Sequence, residues 1–229
     1  MIVAGDFADA HAMAVLNILA SGSHVSTDYD KPDEPESMDI PMMIEVTAPW
    51  EEPVYFSKCV WGDAKGLLDY RDEVLNGTHD DMVESFGYTY HDRFCKQEAG
   101  MLEELKRNPH TRRAQAITWR PEIDLGSEHP PCFQRAWVRV RDRRLDMHTH
   151  WRSRDMIKAW GANVFAFAHL HKKWADELGY PVGVYREFID SAHIYGRDIK
   201  YAKGLVGRSL PSLRWELKDI LEDAAKSAR

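Results

Sequence analysis

Five stretches of the chain place their apolar residues at helical spacing. Residues 8–20 form one apolar stripe that stops at Ser21–Gly22, and residues 164–178 form another that stops at Gly179. The three further stretches with this spacing are residues 63–76, 96–107 and 218–229. These patterns predict amphipathic helices, each with one face packed against a core.

Other stretches alternate between apolar and polar residues, which is the pattern of a β-strand with one buried face. Residues 133–141 and 144–152 alternate on either side of Asp142–Arg143, and this arrangement predicts a hairpin. The remaining predicted strands cover residues 38–48, which include Pro41, residues 114–120 and residues 182–195.

The order of these elements predicts a mixed α/β (α+β) fold in one domain over residues 1–229. Strands joined as hairpins are favoured over regular strand–helix–strand units. The chain also lacks a glycine-rich dinucleotide fingerprint and a Walker-type phosphate-binding loop. These features argue against a doubly wound nucleotide-binding fold.

Composition agrees with a globular protein and narrows its surroundings. Of the 229 residues, 44% are hydrophobic and 29% are charged, which excludes a disordered chain. The net charge of −7 argues against a protein bound to nucleic acid. Residues 12–20 are too short an apolar run to span a bilayer. An odd set of three cysteines without metal-binding spacing favours a soluble protein of the reducing cytoplasm.

One cysteine stands in a position suited to a nucleophile. Cys132 follows Pro130 and Pro131 and directly precedes a predicted strand. Two prolines restrict the backbone before the thiol, and a nucleophile needs such exact placement. The alternative is a buried structural cysteine, which is common in globular proteins.

Two groups of arginines are candidate anion ligands. Arg152 and Ser153 follow the second strand of the hairpin, where a guanidinium and a hydroxyl together suit a phosphate. A salt bridge from Arg152 or Arg154 to Asp155 is an equally good interpretation. Arg112 and Arg113 are adjacent at a predicted strand start and point in opposite directions, so solvent exposure is the simpler interpretation for them.

Histidines supply the remaining candidates. His193 and Tyr195 share one side of the last predicted strand, where they suit a sugar hydroxyl, although a satisfied pair at a sheet edge explains them too. The pairs His148–His150 and His169–His171 have a spacing seen in metal sites, but no cysteine or acid complements them. No metal site is therefore predicted.

Taken in order, these segments resemble the thymidylate synthase family. The matching pieces are Arg112-Arg113, Pro131-Cys132, Arg152-Ser153-x-Asp155, Asn163 and His193-x-Tyr195. The resemblance covers about residues 85–200. The strings Tyr88-Thr89-Tyr90 and Ser191-Ala192-His193-Ile194-Tyr195 are most similar to the short archaeal-type branch, which is related to the pyrimidine nucleotide hydroxymethylases.

The resemblance implies a fold and a reaction. It implies a mixed sheet of five or six strands with flanking helices, and a homodimer in which two sheets pack face to face. It also implies that a pyrimidine nucleoside monophosphate, dUMP, is methylated to dTMP. The carbon donor would be 5,10-methylenetetrahydrofolate or a methanopterin analogue, both reduced pterins. Cys132 would add to C6 of the base.

The resemblance also assigns roles to the other residues. Arg152 and Ser153 would bind the phosphate, and Arg112 and Arg113 would reach it from the partner subunit. Asn163 would bind the base edge, and His193 with Tyr195 would hold the ribose 3′-hydroxyl. Three further residues would act on the reaction: Asp155 would face the pterin, Tyr90 would assist removal of the C5 proton, and Glu73 would be the catalytic acid.

Three alternatives remain open at this point. A hydroxymethylase of dUMP, dCMP or CMP would form the same cysteine adduct and finish with attack by water. A nucleotide-binding paralogue without catalysis would retain the fold, but its retention of Cys132 would be unexpected. A cysteine–histidine hydrolase would need a histidine against Cys132, and the nearest position holds Phe133.

Overall fold

A mixed β-sheet forms the centre of the protein in the computed structural model, which describes residues 1–60 and 62–227. The strands are β1 (Ile2–Ala4), β2 (Ser23–Val25), β3 (Ser37–Val46), β4 (Tyr55–Ser57), β5 (Gln115–Ile117), β6 (Phe133–Arg141), β7 (Arg144–Trp151), β8 (Arg154–Asp155), β9 (Val182–Ile194) and β10 (Arg214–Glu216).

The helices lie between and after these strands. They are α1 (Phe7–Ser21), α2 (Ala64–Asn76), α3 (Val83–Phe86), α4 (Tyr90–Arg107), α5 (Pro121–Asp124), α6 (Trp160–Leu178), α7 (Ile199–Val206), α8 (Leu210–Leu213) and α9 (Leu217–Ser227). Within the described ranges, no helix is both long and apolar enough to cross a membrane. Residues 228 and 229, at the end of the predicted helix 218–229, lie outside the described residues.

The large sheet runs in the order β1-β3-β9-β7-β6-β5, with β2 paired to β3 and β8 paired to β9. It therefore has eight strands in the described part of the chain, more than the expected five or six. The two extra strands are short, and their sequences are too brief to show alternation. Strands β4 and β10 form a separate antiparallel pair.

The connection between β7 and β9 corrects the expectation that hairpins dominate. Strands β6 and β7 form the predicted hairpin, and Asp142 and Arg143 both adopt positive φ (51° and 58°) in its two-residue turn. However, β7 pairs with β9 in parallel, and α6 supplies the crossover. A parallel pair needs a connection of a dozen or more residues, and a helix provides it.

Local sequence accounts for the ends of the helices near the site. Helix α2 stops at Gly77, which adopts the left-handed conformation (φ 67°). Helix α4 begins at Tyr90, earlier than the predicted residue 96, because the Thr89 hydroxyl accepts a hydrogen bond from Asp92 N (3.0 Å). A Cβ atom at Gly77 would overlap the side chains of His91 and Asp80, which are hydrogen-bonded to each other beside it (2.5 Å).

The large sheet has two different faces. We call the face covered by α1 and α6 the inner face, and the opposite one the outer face. Alternate residues of β7 (Leu145, Met147, Thr149 and Trp151) are buried on the inner face, as their spacing predicts. His148 and His150, which lie between them, belong to the outer face and are partly open to solvent.

Candidate active site

Cys132 lies half-buried at the point where a loop enters β6. Its carbonyl accepts a hydrogen bond from Arg152 N (3.0 Å), which connects the loop to the end of β7. The side chain of Gln134 donates to Pro131 O (2.7 Å). Hydrogen bonds thus hold the backbone at Cys132 and at Pro131, and the thiol is not buried in the core.

The guanidinium of Arg152 contacts the same loop. Its Nε donates to Pro131 O (3.0 Å), and its Nη2 donates to Pro130 O (2.7 Å) and lies 3.7 Å from Cys132 Sγ. These contacts replace the salt bridge to Asp155 that the sequence left open. Arg152 places a positive charge beside the thiol, which is the environment that thiolate nucleophiles use.

Two tyrosines at the start of α4 stand beside Cys132. The rings of Tyr88 and Tyr90 lie 5.7 Å apart, and Tyr90 packs edge-on against Phe133 and Trp151. Burial, with the charge of Cys132 as the next cause, raises the pKa of Tyr88 to about 12. Burial and the neighbouring Tyr70 raise the pKa of Tyr90 well above its ordinary value. Both hydroxyls therefore carry their protons at neutral pH.

Asn163 is fixed by two side chains from different elements. Its Oδ1 accepts a hydrogen bond from Arg154 Nη1 (2.9 Å), and its Nδ2 donates to the hydroxyl of Tyr70 (2.5 Å). Arginine has no acceptor, so the amide atom that it contacts must be the oxygen. The hydrogen-bond network therefore assigns one orientation to the amide.

Arg154 is itself held in the buried interior. Its Nη2 donates to Glu187 Oε1 (2.7 Å), and its guanidinium stacks 3.4 Å over the ring of Trp151. Glu187 also accepts hydrogen bonds from Trp160 Nε1 (2.8 Å) and from the Tyr185 hydroxyl (3.0 Å). The buried carboxylate thus has three donors, which compensates for its loss of water.

The segment after β7 brings further candidates together. Strand β8 pairs with β9 so that Asp155 stands beside His193, and Ser153 precedes it half-buried. Asp155 Oδ1 accepts from the backbone N–H groups of Ile157 and Lys158, both at 2.9 Å. Its carboxylate is thereby held in one orientation beside the cluster.

His193 and Tyr195 are in contact, as their spacing predicts. Their rings meet edge to face at 4.7 Å. His193 Nε2 is buried and has no hydrogen-bond partner among the residues that the structure describes. Burial, followed by the charge of Asp155, raises the pKa of Tyr195 to about 12. A buried nitrogen without a partner is costly, and it indicates a place for a ligand hydroxyl.

Three predicted residues lie apart from this cluster. The Glu73 carboxylate contacts His79 (3.0 Å). Burial raises the pKa of Tyr70, and the charge of Glu73 is the second cause of that rise. Arg113 forms an ion pair with Glu104 (2.6 Å). Arg112 is exposed, and its carbonyl accepts from Trp137 Nε1 (2.9 Å) on the outer face. Among the residues that the structure describes, no contact within one chain brings either arginine to Cys132.

The histidine pairs have structural partners. His169 contacts Phe165 O (2.7 Å), His171 contacts Leu145 O (2.6 Å), and His150 contacts Asp190 (3.0 Å). In the described ranges, no group of three histidine, cysteine, aspartate or glutamate side chains is placed to hold a metal.

Sequence reasoning missed Tyr70, Arg154 and Glu187. A signal for two of them was present. Tyr70 is spaced three residues after Leu67 and four before Val74, on the buried face of α2. Glu187 alternates with Tyr185 and Ile189 on the inner face of β9. A polar group at such a position needs a buried partner, but spacing alone does not name that partner.

Comparisons with known proteins agree with this geometry. The family model described as thymidylate synthase matches residues 54–225. A protein of Methanosarcina barkeri, provisionally named thymidylate synthase, is 29% identical over 197 residues, covering 83% of this chain and 88% of the relative. A protein of Methanothermobacter marburgensis with the same provisional name is 34% identical over 151 residues, covering 64% and 66%.

The fold is also similar to a solved structure. Thermostable thymidylate synthase A from Bacillus subtilis superposes with a TM-score of 0.70 at 18% identity. The match covers 92% of this chain and 86% of that one. The family model spans well over half of the chain, and the chain therefore belongs to the thymidylate synthase family.

Proposed function

We propose that this protein methylates C5 of dUMP to form dTMP. The observation that carries the proposal is the half-buried Cys132 thiol, held 3.7 Å from Arg152, with Tyr90 packed against the next residue, Phe133, and Tyr88 packed against Tyr90. A positioned thiol, a cation and protonated hydroxyls are the groups that addition to an electron-poor ring requires.

In the proposed reaction, the thiolate of Cys132 forms a bond to C6 of the base. The electron pair of the C5–C6 double bond moves toward C5 and the oxygen at C4. C5 is then the nucleophile. A bound reduced pterin would supply the methylene group, whose bond to the pterin nitrogen would break, and the hydride that reduces it to methyl. Tyr90 assists transfer of the C5 proton to solvent, and the Cys132 thiolate then leaves C6, so that the C5–C6 double bond is restored.

Asp155 is the residue best suited to the pterin. Two backbone N–H groups hold its Oδ1, so that the carboxylate presents a fixed acceptor to the N–H donors of such a ring. This arrangement fits 5,10-methylenetetrahydrofolate and a methanopterin analogue equally well, because both carry those donors. Glu73 remains our proposed acid. It lies close enough to Tyr70 to be, after burial, the second cause of the raised pKa of that residue.

The remaining cluster is suited to the sugar and the phosphate. His193 Nε2 and the Tyr195 hydroxyl face a ribose 3′-hydroxyl in our proposal, which would satisfy the buried nitrogen. Arg152 and Ser153 bind the phosphate from the same chain. Arg112 and Arg113 of a second copy complete the phosphate site.

The proposed second copy packs on the outer face. Trp137, His148 and Phe188 form an aromatic ridge there, with ring centroids 5.0 and 6.1 Å apart. Arg112 adjoins this ridge through Trp137. An interface of this kind is self-complementary and closes as a dimer. The three free cysteines fit a reducing compartment, and we propose the cytoplasm.

Product analysis tests the proposal. The protein is incubated with one of the two pterins, 5,10-methylenetetrahydrofolate or its methanopterin analogue, and with dUMP, dCMP or CMP. The mass of the nucleotide is then measured. A gain of one methyl group on dUMP is the expected result, whereas a hydroxymethyl group would assign the protein to the hydroxymethylases. No change in any nucleotide, with either pterin, would contradict catalysis.

Two cysteine variants identify the nucleophile. Cys132→Ala should lower turnover by a factor of at least about 10³ and leave dUMP binding within about threefold, because only the covalent step is lost. Cys95→Ala is the matched control, since Cys95 is half-buried on α4 and its thiol contacts only Asp92 O (3.8 Å). Turnover of Cys132→Ala within tenfold of wild type would refute the assignment.

A further inference from the structure

Four side chains follow one another around the site. The ring of Tyr90 packs against Phe133, the residue after Cys132. Tyr70 lies close enough to Tyr90 to be, after burial, the next cause of the raised pKa of Tyr90. Tyr70 in turn is hydrogen-bonded to Asn163 at 2.5 Å. The order is therefore Cys132, Tyr90, Tyr70, Asn163.

This order matches the perimeter of a pyrimidine ring. In the function proposed above, on which this inference rests, Cys132 faces C6, Tyr90 faces C5 and Asn163 faces N3. The substituent at C4 lies between C5 and N3 on the ring. Tyr70 lies between Tyr90 and Asn163 in the protein, so it is the residue that the C4 substituent meets.

The hydrogen bonds of Tyr70 determine what it offers to that substituent. Its oxygen accepts from Asn163 Nδ2, and its own proton has no acceptor among the described side chains and backbone groups. Tyr70 is thus a donor with an unused proton.

The amide of Asn163 also presents a hydrogen-bond donor on this side. Arg154 holds Oδ1 on one side, and Arg154 is fixed by Glu187 and the Trp151 ring. Nδ2 therefore lies on the Tyr70 side, with one proton still free. The position of the C4 substituent is bordered by two donors, the Nδ2–H of Asn163 and the O–H of Tyr70.

We propose that Tyr70 donates a hydrogen bond to the C4 oxygen of uracil and, together with Arg154, makes Asn163 select uracil over cytosine. Uracil presents an acceptor oxygen at C4 and a donor at N3, which match Nδ2 and Oδ1. Cytosine presents an amino group at C4, whose protons would face two donors. Buried donors without acceptors discriminate strongly between such analogues.

The same hydrogen bond assists the reaction. Negative charge develops on the C4 oxygen when Cys132 adds to C6. A donor already placed there stabilises the charge without reorganisation. Tyr70 is therefore a catalytic residue in this proposal, and Arg154 is a positioning residue that acts through Asn163.

The test removes the hydroxyl and the oxygen separately and together. Wild type and Tyr70→Phe are titrated, without pterin, with dUMP and with 4-thio-2′-deoxyuridine 5′-monophosphate, an analogue that keeps the N3–H but carries sulfur, a weak acceptor, in place of the C4 oxygen. We expect wild type to bind dUMP at least about tenfold more tightly than the analogue, and Tyr70→Phe to reduce this ratio to below about threefold. The preference for dUMP over dCMP should fall by at least about tenfold as well.

A matched control separates this from a general effect of losing a hydroxyl. Tyr201→Phe changes a tyrosine of α7 that is 49% exposed and should keep the wild-type ratios. If Tyr70→Phe keeps the wild-type ratio between dUMP and the analogue, this inference is wrong although the proposed function stands. If wild type binds none of the three nucleotides, the proposed function is wrong and this inference with it.

Discussion

The inner and outer faces of the large sheet carry similar charged pairs in different environments. On the inner face, the side chains of Arg154 and Glu187 are 1% and 0% exposed. On the outer face, Arg186 pairs with Glu45 (2.6 Å), and both side chains remain about one fifth exposed. The first pair is enclosed by its own chain, and the second is still in contact with water.

The difference shows how the two faces are completed. Glu187 receives hydrogen bonds from Arg154, Trp160 and Tyr185, so its charge is fully compensated within the chain. The outer face exposes 40% of Phe188 beside His148 instead. The inner face holds the parts of the candidate site in place, whereas the outer face is the surface on which we expect a second copy.

The largest expected effect comes from breaking the inner pair. Glu187→Ala should lower the free energy of unfolding by about 3–5 kcal/mol, because it leaves the buried charge of Arg154 without a partner. Glu45→Ala breaks the outer pair and should cost less than about 1 kcal/mol. Denaturant unfolding measures both values. Equal losses would show that the two faces do not differ in the way described.

Acid should act next most strongly, through buried histidines on the inner side. Burial lowers the pKa of His11 and of His171 to about 4. The unfolded chain binds these protons near pH 6.5 and the folded chain does not, so stability present above that pH is lost as the pH falls toward 4. At about 1.4 kcal/mol per pH unit, each histidine should lower the free energy of unfolding by about 3 kcal/mol as the pH falls from 6.5 to 4.

Thermal unfolding between pH 7 and pH 4 measures this loss. His171→Gln should remove part of the pH dependence, because glutamine does not titrate. His24→Gln, at an exposed position of β2, should leave it unchanged. A pH dependence that is the same in His171→Gln as in wild type would contradict the assignment.

A smaller effect is expected at the outer face. Phe188→Asp should weaken the proposed dimer by about 2 kcal/mol, or roughly thirtyfold, by placing a charge in the aromatic ridge. Leu221→Asp on α9 is a control of similar exposure, 42% against 40%. Sedimentation measures the association. A wild type that is monomeric at micromolar concentration would refute the proposed interface.

The smallest effect concerns an arginine next to that face. Arg112→Ala should raise the KM for dUMP by about fivefold, or about 1 kcal/mol, with kcat unchanged, since it removes one exposed phosphate contact. Arg107→Ala, an exposed arginine paired with Glu104, should have no such effect.

Mixed dimers show which subunit supplies Arg112. Subunits with Arg112→Ala are combined with subunits carrying Cys132→Ala. If the arginine acts across the interface, one site of each mixed dimer contains both wild-type residues and has the wild-type KM. A mixed dimer that shows only the raised KM would place Arg112 in the site of its own chain.

The sequence anticipates the parts of the molecule that depend on local rules. The hairpin at Asp142–Arg143 follows from alternation, and the end of α2 at Gly77 follows from the glycine. The contact between His193 and Tyr195 follows from their spacing. In each case the deciding residues lie within a few positions of one another.

The parts that could not be predicted depend on distant residues. Strands β7 and β9 pair although α6 separates them in the sequence. The alternation within a strand does not indicate which other strand it pairs with. Tyr70 meets Asn163 across 93 positions, and Arg154 meets Glu187 across 33. Only the packing of α2, α6 and the inner face brings these residues together.

Gly77 has a consequence for tyrosines that it does not touch. The hydrogen-bonded side chains of His91 and Asp80 occupy the space where a side chain at position 77 would lie. His91 is in the first turn of α4 beside Tyr90, and Gly77 ends the helix that carries Tyr70. A side chain at position 77 would have to displace His91 or Asp80, and we expect such a substitution to shift the start of α4, and with it Tyr90, relative to Tyr70 although neither tyrosine is itself changed.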